Sequence, residues 1–213
     1  MTRYGMVIDL KRCIGCQACM VACKAENFLP PKIKWNRVID YETGEYPWTR
    51  RNFLPRPCMH CEDAACVNVC PTGATYRRDD GIVLIDHDKC TGCRYCVVAC
   101  PYDSRYYYNK KDGYYPTGLT PPEKFGSAKH KLGTVEKCTF CVTRIDEGIA
   151  KGLKPGVDWE ATPACVNACP TGARIFGELS DPNSEVSRLV REGHVFQLLP
   201  ELGTKPSVYY QPA

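Results

Sequence analysis

Residues 90–101 read Cys90-Thr-Gly-Cys93-Arg-Tyr-Cys96-Val-Val-Ala-Cys100-Pro101, and residues 13–24 read Cys13-Ile-Gly-Cys16-Gln-Ala-Cys19-Met-Val-Ala-Cys23-Lys24. Both runs are C-x2-C-x2-C-x3-C. This spacing puts three thiols on one tight loop to hold a 4Fe-4S cluster, while the fourth reaches a neighbouring cluster. Two wider versions complete the set. Cys58, Cys61, Cys66 and Cys70 form C-x2-C-x4-C-x3-C, and Cys138, Cys141, Cys165 and Cys169 form C-x2-C-x23-C-x3-C. The sixteen cysteines thus fall into four groups of four with none left over, a ligand set for four 4Fe-4S clusters. Proline follows Cys70, Cys100 and Cys169 and turns the chain where the fourth thiolate departs. The first group differs, with Lys24 after Cys23.

Other uses of cysteine fit less well. Residues 1–9 contain no apolar run of signal-peptide length, and thiols in close triplets are badly placed to pair within their own loops, which argues against disulfides. Zinc takes C-x2-C pairs, and the fourth group alone resembles one. The compact triplets of the first and third groups would crowd a tetrahedral ion.

A chain of 213 residues can bury an ordinary core, but sixteen metal-bound cysteines would make the clusters themselves much of the interior. Folding is then expected to depend on cluster assembly. The formal charge is +4, from 28 basic and 24 acidic residues. Four cubanes at about −2 each, thiolates included, would carry the holoprotein to about −4. Basic residues therefore read as compensation for buried cluster charge and not as a nucleic-acid surface. Arg12, Lys89 and Lys137 each precede the first cysteine of a group, consistent with compensation or with ordinary solvated side chains. No apolar stretch is long enough to span a membrane. Glycine and proline, 17 each, cluster around the cysteine groups and predict a loop-rich α+β chain.

An internal repeat organises the groups. Residues 65–74 read Ala-Cys-Val-Asn-Val-Cys-Pro-Thr-Gly-Ala, and residues 164–173 repeat them with one change, Val69 against Ala168. Compact triplets therefore alternate with delayed-tail groups, and one of each makes a two-cluster ferredoxin unit. Groups two and three form an inner unit, residues 58–116, inserted in an outer unit made of residues 1–57 and 117–180. Residues 181–213 follow as a helix and tail. Crossing of each fourth cysteine, as in two-cluster ferredoxins, gives cluster one Cys13, Cys16, Cys19 and Cys169, and cluster two Cys138, Cys141, Cys165 and Cys23. Cluster three takes Cys58, Cys61, Cys66 and Cys100, and cluster four Cys90, Cys93, Cys96 and Cys70.

Local patterns predict a strand at residues 4–9 and a hairpin over 76–85 turning at Asp79, Asp80 and Gly81. Helices are expected at 18–25, at 95–99 and at 182–191, the last with Asp181 as N-cap, Pro182 at the first position and Val186, Leu189 and Val190 on a packing face. Tyr102, Tyr106, Tyr107, Tyr108, Tyr114 and Tyr115 suggest either a partner surface or a strand packed on its own domain. His60, between Cys58 and Cys61, suits a donor to cluster sulfur or a plain loop residue. No nucleophile–base pair, phosphate loop or dinucleotide fingerprint is present, so the chain is read as non-catalytic.

The ligand pattern, Lys137-Cys-Thr-Phe-Cys141 and the tail Pro-Glu-Leu-Gly-Thr-Lys-Pro-Ser-Val-Tyr-Tyr at 200–210 resemble the four-cluster iron-sulfur subunit of molybdopterin oxidoreductases of the dimethyl sulfoxide reductase superfamily. The resemblance implies single-electron relay to a large molybdopterin catalytic subunit at cluster one, from a quinol-oxidising membrane subunit or another donor at cluster four. In some relatives a tryptophan replaces the cysteine corresponding to Cys93 and leaves a 3Fe-4S centre; cysteine here implies four cubanes. The tail also resembles the small subunit of phenolic transhydroxylases, which hold three clusters. A hydrogenase or formate dehydrogenase complex, or a free polyferredoxin, is the alternative setting. The resemblance further implies export beside a twin-arginine partner to the periplasmic side, with a cytoplasmic complex as the alternative.

Overall fold

The computed structural model describes residues 2–213; Met1, the first residue of the segment that lacks a signal-peptide run, lies outside them. In chain order the elements are β1 (Tyr4–Asp9), α1 (Ala18–Glu26), β2 (Arg37–Thr43), β3 (Arg50–Arg56), α2 (Ala65–Asn68), β4 (Thr75–Arg77), β5 (Val83–Ile85), α3 (Tyr95–Val98) and β6 (Tyr106–Tyr108). They continue as α4 (Pro121–Ser127), β7 (Thr134–Glu136), α5 (Val142–Ala150), α6 (Ala164–Asn167), β8 (Arg174–Glu178), α7 (Glu185–Arg191) and β9 (Val208–Gln211), with a 3-10 turn at Pro200–Leu202. The chain is a mixture of short helices and small sheets joined by loops, as its glycine and proline content requires. Among the described residues no helix is long and apolar enough to cross a membrane.

β1 is the centre of the main sheet, antiparallel to β8 and parallel to β9. Its side chains alternate between two apolar faces. Met6 and Ile8 enter the main core, whereas Val7 joins Val186 and Leu189 of α7 on the other side. Each of these buried apolar side chains contributes about 1.5–3 kcal/mol. Helix α7 starts later than the sequence suggests. Ser184, not Asp181, is the N-cap and accepts from the Ser187 N–H at 3.1 Å. Asp181 instead accepts from the Asn183 N–H at 2.9 Å, so residues 181–184 form a turn and Pro182 precedes the helix. Both residues are good caps, and this local hydrogen bond selects the second.

The same local geometry occurs at both compact triplets. β1 leads into the first and pairs with β8, which follows the second copy of the repeat; β5 leads into the third group and pairs with β4, which follows the first copy. Asp9 and Asp86 occupy equivalent places, their N–H groups donating to the carbonyls of Ala173 and Ala74 at 2.8 and 2.7 Å. Their carboxylates accept from the Lys11 and Arg12 N–H groups, and from those of Asp88 and Lys89. The helices then differ for one reason. Pro101 follows Cys100 and α3 stops at Val98, whereas Lys24 follows Cys23 and α1 runs on to Glu26. The Lys24 ammonium then donates to the carbonyls of Pro30 and Ile33, both at 2.8 Å, and fixes the chain leaving the helix.

Tyr106–Tyr108 pair with Thr134–Glu136, and Tyr102 and Tyr108 are buried in the core. Most of the tyrosine run is thus strand and core; Tyr114 and Tyr115 are exposed. Beside β7, buried His130 is held at both ring nitrogens, Nδ1 to Glu136 Oε1 at 2.7 Å and Nε2 to the Asn27 carbonyl at 2.8 Å. Burial disfavours the imidazolium, but the Glu136 carboxylate and the Asn27 carbonyl outweigh it and raise the His130 pKa. The raised value favours folding while His130 is protonated, below its ordinary value of about 6.5, and the benefit fades as pH rises through the folded value. Thermal or denaturant unfolding should therefore show Glu136→Gln costing on the order of 1 kcal/mol at pH 6 and progressively less toward alkaline pH. A cost that grows with pH contradicts this pair.

Candidate iron-sulfur cluster sites

Each compact triplet lies on a loop that only certain residues can form. Gly15 and Gly92 have φ of 66° and 70°, and Gln17 and Arg94, just before α1 and α3, are also left-handed. A Cβ at Gly15 would collide with the Phe53 ring, and one at Gly92 with the Gly133 carbonyl. The wider groups use the left-handed region too, at His60 and at Phe140 and Cys141. In each case the chain curls so that its thiols face a common centre.

The structure gathers the cysteines into four sets. Cys13, Cys16, Cys19 and Cys169 line one small cavity, Cys58, Cys61, Cys66 and Cys100 a second, and Cys70, Cys90, Cys93 and Cys96 a third. Cys23, Cys138, Cys141 and Cys165 are buried together; after burial itself, the charges bearing most on the Cys23 thiol are those of Cys138, Cys165 and Cys141. All sixteen thiols are free of disulfides. An apolar cavity of about 470 Å³ between α1 and α4 has no cysteine in its wall, and its polar rim groups are already bonded: Lys24 to carbonyls, the Tyr114 hydroxyl to the Leu29 carbonyl, Glu123 to the α4 N-terminus.

The donor set fits iron-sulfur clusters. Four soft thiols meet at each site, and among the described residues no three Cys, His, Asp or Glu side chains are arranged to hold a single metal ion. Four sulfurs on one zinc would close to about 3.8 Å of one another, from the 2.3 Å Zn–S bond and tetrahedral angles. Three of the quartets instead surround a small cavity. Burial pushes the Cys61 and Cys138 thiols up to about 12, with neighbouring Cys58 adding to both, and raises Cys23 and Cys141 well above the ordinary thiol range. Without metal such groups stay protonated. Cys70 differs, since N–H and hydroxyl groups of Thr72 and Thr75 outweigh its burial and bring it down to about 7.

Buried cations approach the sulfurs. Arg105, 3% exposed, donates from Nη2 to Cys66 Sγ at 2.9 Å and from Nη1 to Thr75 Oγ1 at 3.1 Å. Arg174, also 3% exposed, donates to Cys165 Sγ at 3.6 Å and to Asn36 Oδ1 at 2.8 Å. Lys137, 2% exposed, donates to the carbonyls of Val83 and Cys138. Of the three basic residues that precede cysteine groups, Lys137 is therefore the buried one; Arg12 and Lys89 are exposed, Lys89 against Asp86. Sequence reading missed Arg105 and Arg174. The available signal was the residue following each copy of the repeat, Thr75 in one and Arg174 in the other. His60 is buried: Nδ1 accepts from the Val83 N–H at 3.1 Å, the ring stacks on Phe140 at 3.8 Å, and Nε2 has no hydrogen-bond partner among the described residues. Burial and the charges of Lys137 and Arg105 hold it neutral.

Comparison with known proteins places these sites in a class. Two models of a 4Fe-4S dicluster domain match the chain, one over residues 49–116 and one over residues 12–74 and 89–173. A Halobacterium salinarum protein assigned as an iron-sulfur subunit of dimethyl sulfoxide reductase is 46% identical over 99% of this chain and 79% of its own length. A subunit of the selenate reductase of Mesobacillus selenatarsenatis is 42% identical over 98% of this chain and 71% of its own. The arsenate respiratory reductase iron-sulfur subunit of a Shewanella species is 39% identical over 98% and 95%. The class is thus that of 4Fe-4S dicluster proteins, with four clusters in this chain. More particularly, the chain belongs to the family of iron-sulfur electron-transfer subunits of reductase complexes.

Because the thiols occupy core positions and are costly to leave as free thiolates, reductive chelation of iron should abolish the cooperative melting transition seen by circular dichroism. A chelated protein that keeps its near-ultraviolet spectrum and melts cooperatively would contradict that dependence.

Proposed function

We propose that the chain relays electrons one at a time to a molybdopterin catalytic subunit. Its ligands divide as Cys13, Cys16, Cys19 and Cys169; Cys138, Cys141, Cys165 and Cys23; Cys58, Cys61, Cys66 and Cys100; and Cys90, Cys93, Cys96 and Cys70. The observation that carries this reading is the makeup of the quartets: each takes three thiols from one run and its last from another, linking group one with group four and group two with group three. The pairing of β1 with β8 and of β4 with β5 supports two nested ferredoxin-like units, residues 58–116 within 1–57 and 117–180, with 181–213 as the C-terminal helix and tail.

Bound clusters supply reversible one-electron chemistry over a wide range of potential. The chain's own residues hold them at fixed positions, exclude water and leave the ends accessible. Cys16 and Cys93 are the exposed thiols, one in each terminal quartet. Ile14 and Val21 are exposed beside the first, and Tyr95 and Val98 beside the second. Apolar rims of this kind suit partner contacts. We assign the first end to the catalytic subunit and the second to the electron donor, a quinol-oxidising membrane subunit being one candidate. The names of the relatives support a respiratory reductase partner, and that of a menaquinone reductase iron-sulfur subunit from Nitratidesulfovibrio vulgaris supports a quinone link.

Two experiments test this. In EPR spectra of the reduced protein, Cys23→Ser should perturb the same cluster as Cys138→Ser, and Cys169→Ser the same cluster as Cys13→Ser; Cys23→Ser acting on the Cys13 cluster contradicts the crossing. Purified anaerobically from its native host, the chain should bring with it a larger subunit containing molybdopterin. Recovery with nickel, or as a lone four-cluster protein, contradicts the partner.

A further inference from the structure

Resting on the ligand division above, we propose that three buried cations, one in each gap between successive clusters, set the potentials of the relay in overlapping pairs: Arg174 acts on clusters one and two, Lys137 on two and three, and Arg105 on three and four.

The placement of each follows from its contacts. Arg174 donates to Cys165 Sγ of the second quartet and also lines the cavity of Cys13, Cys16, Cys19 and Cys169. Arg105 donates to Cys66 Sγ and lines the cavity of the third quartet. Its other nitrogen holds Thr75, which lines the cavity of the fourth quartet and gives its N–H to Cys70 Sγ at 3.4 Å. The Lys137 ammonium donates to the carbonyl of Cys138, a second-quartet residue, and to that of Val83, which lines the third.

Their hydrogen-bond partners are sulfurs, a hydroxyl, an amide and carbonyls, and none is a carboxylate. A buried cation without a counter-charge is strongly disfavoured. The counter-charge here is the thiolate and cluster charge on either side. The internal repeat strengthens the case. Arg174 follows the second copy, but Thr75 stands at that place in the first, and there a guanidinium arrives from Arg105 and bonds the Thr75 hydroxyl. A positive charge is thus delivered to corresponding places by two different parts of the chain.

The effect has a fixed sign. Reduction adds one negative charge to a cluster, and a fixed positive charge in a low-dielectric interior stabilises that charge on both neighbours. Removing the cation lowers both potentials.

The test is redox-titrated EPR of the anaerobically purified holo complex carrying Arg174→Met, Lys137→Met or Arg105→Met, each beside its charge-keeping counterpart Arg174→Lys, Lys137→Arg or Arg105→Lys. Each neutral variant should lower the potentials of its two flanking clusters and leave the other two at wild-type values, so clusters two and three respond to two variants and clusters one and four to one. The counterparts should stay close to wild type. Unchanged potentials in a neutral variant that retains four clusters overturn the proposal, as does an equal shift in the charge-keeping variant. If a neutral variant fails to retain iron, its counterpart decides: four clusters at wild-type potentials support the charge, and loss of clusters there assigns the residue to packing. Shifts of the right sign in other pairs overturn the gap assignment, and the Cys23 and Cys138 variants then show whether the ligand division is the fault.

Discussion

A thiolate cannot be buried without positive charge beside it, and of this chain's sixteen thiols seven are buried, seven half-buried and only two exposed. That constraint governs the rest of the structure. Cys19, Cys23, Cys58, Cys138 and Cys165 stand in the main core with Met6, Ile8, Phe140 and Ile145, in places where an ordinary domain would put aliphatic side chains. Iron supplies most of the neutralising charge, and the protein adds Arg105, Arg174 and Lys137 from within. The clusters are therefore structural and functional at once, and the polypeptide has little need of long regular elements.

What regular structure there is serves the loops. Short strand pairs bring the residue after each repeat copy beside the strand that enters each compact triplet, and the left-handed residues at Gly15, Gln17, Gly92 and Arg94 curl the triplets inward. The C-terminal segment closes the assembly. β9 completes the main sheet, Thr204 lines the third quartet and bonds the Tyr102 hydroxyl at 2.6 Å, and the Ser207 N–H reaches the Met59 carbonyl at 2.8 Å. The tail thereby braces the loop that carries Cys58 and Cys61.

Much of this is legible in the sequence because ligand spacing and turn chemistry are local. The strand at Tyr4–Asp9, the turn at Asp79–Gly81 and the helices after Cys16 and Cys93 all fall where spacing and residue type require. Non-local contacts are not legible in the same way. The β2–β3 hairpin is largely exposed or half-buried and interrupts its few apolar residues with charged ones, and β9 finds β1 across nearly the whole chain. Arg105 was illegible for the same reason, since it reaches Cys66 from 39 residues away, whereas Arg174 stands directly after the second repeat copy, nine residues from Cys165, and only its bond to Asn36, 138 residues off, is non-local. At α7, Asp181 and Ser184 competed as caps, and only the local turn decided between them.

The most direct test of the four-centre relay is anomalous diffraction from crystals of the holo complex at the iron absorption edge. Four separate iron clusters in a line are expected, each bound by the quartet assigned to it and with the Cys16 and Cys93 quartets at the two ends. An empty quartet, a single-metal site, or a fourth thiolate returning to its own triplet would contradict it.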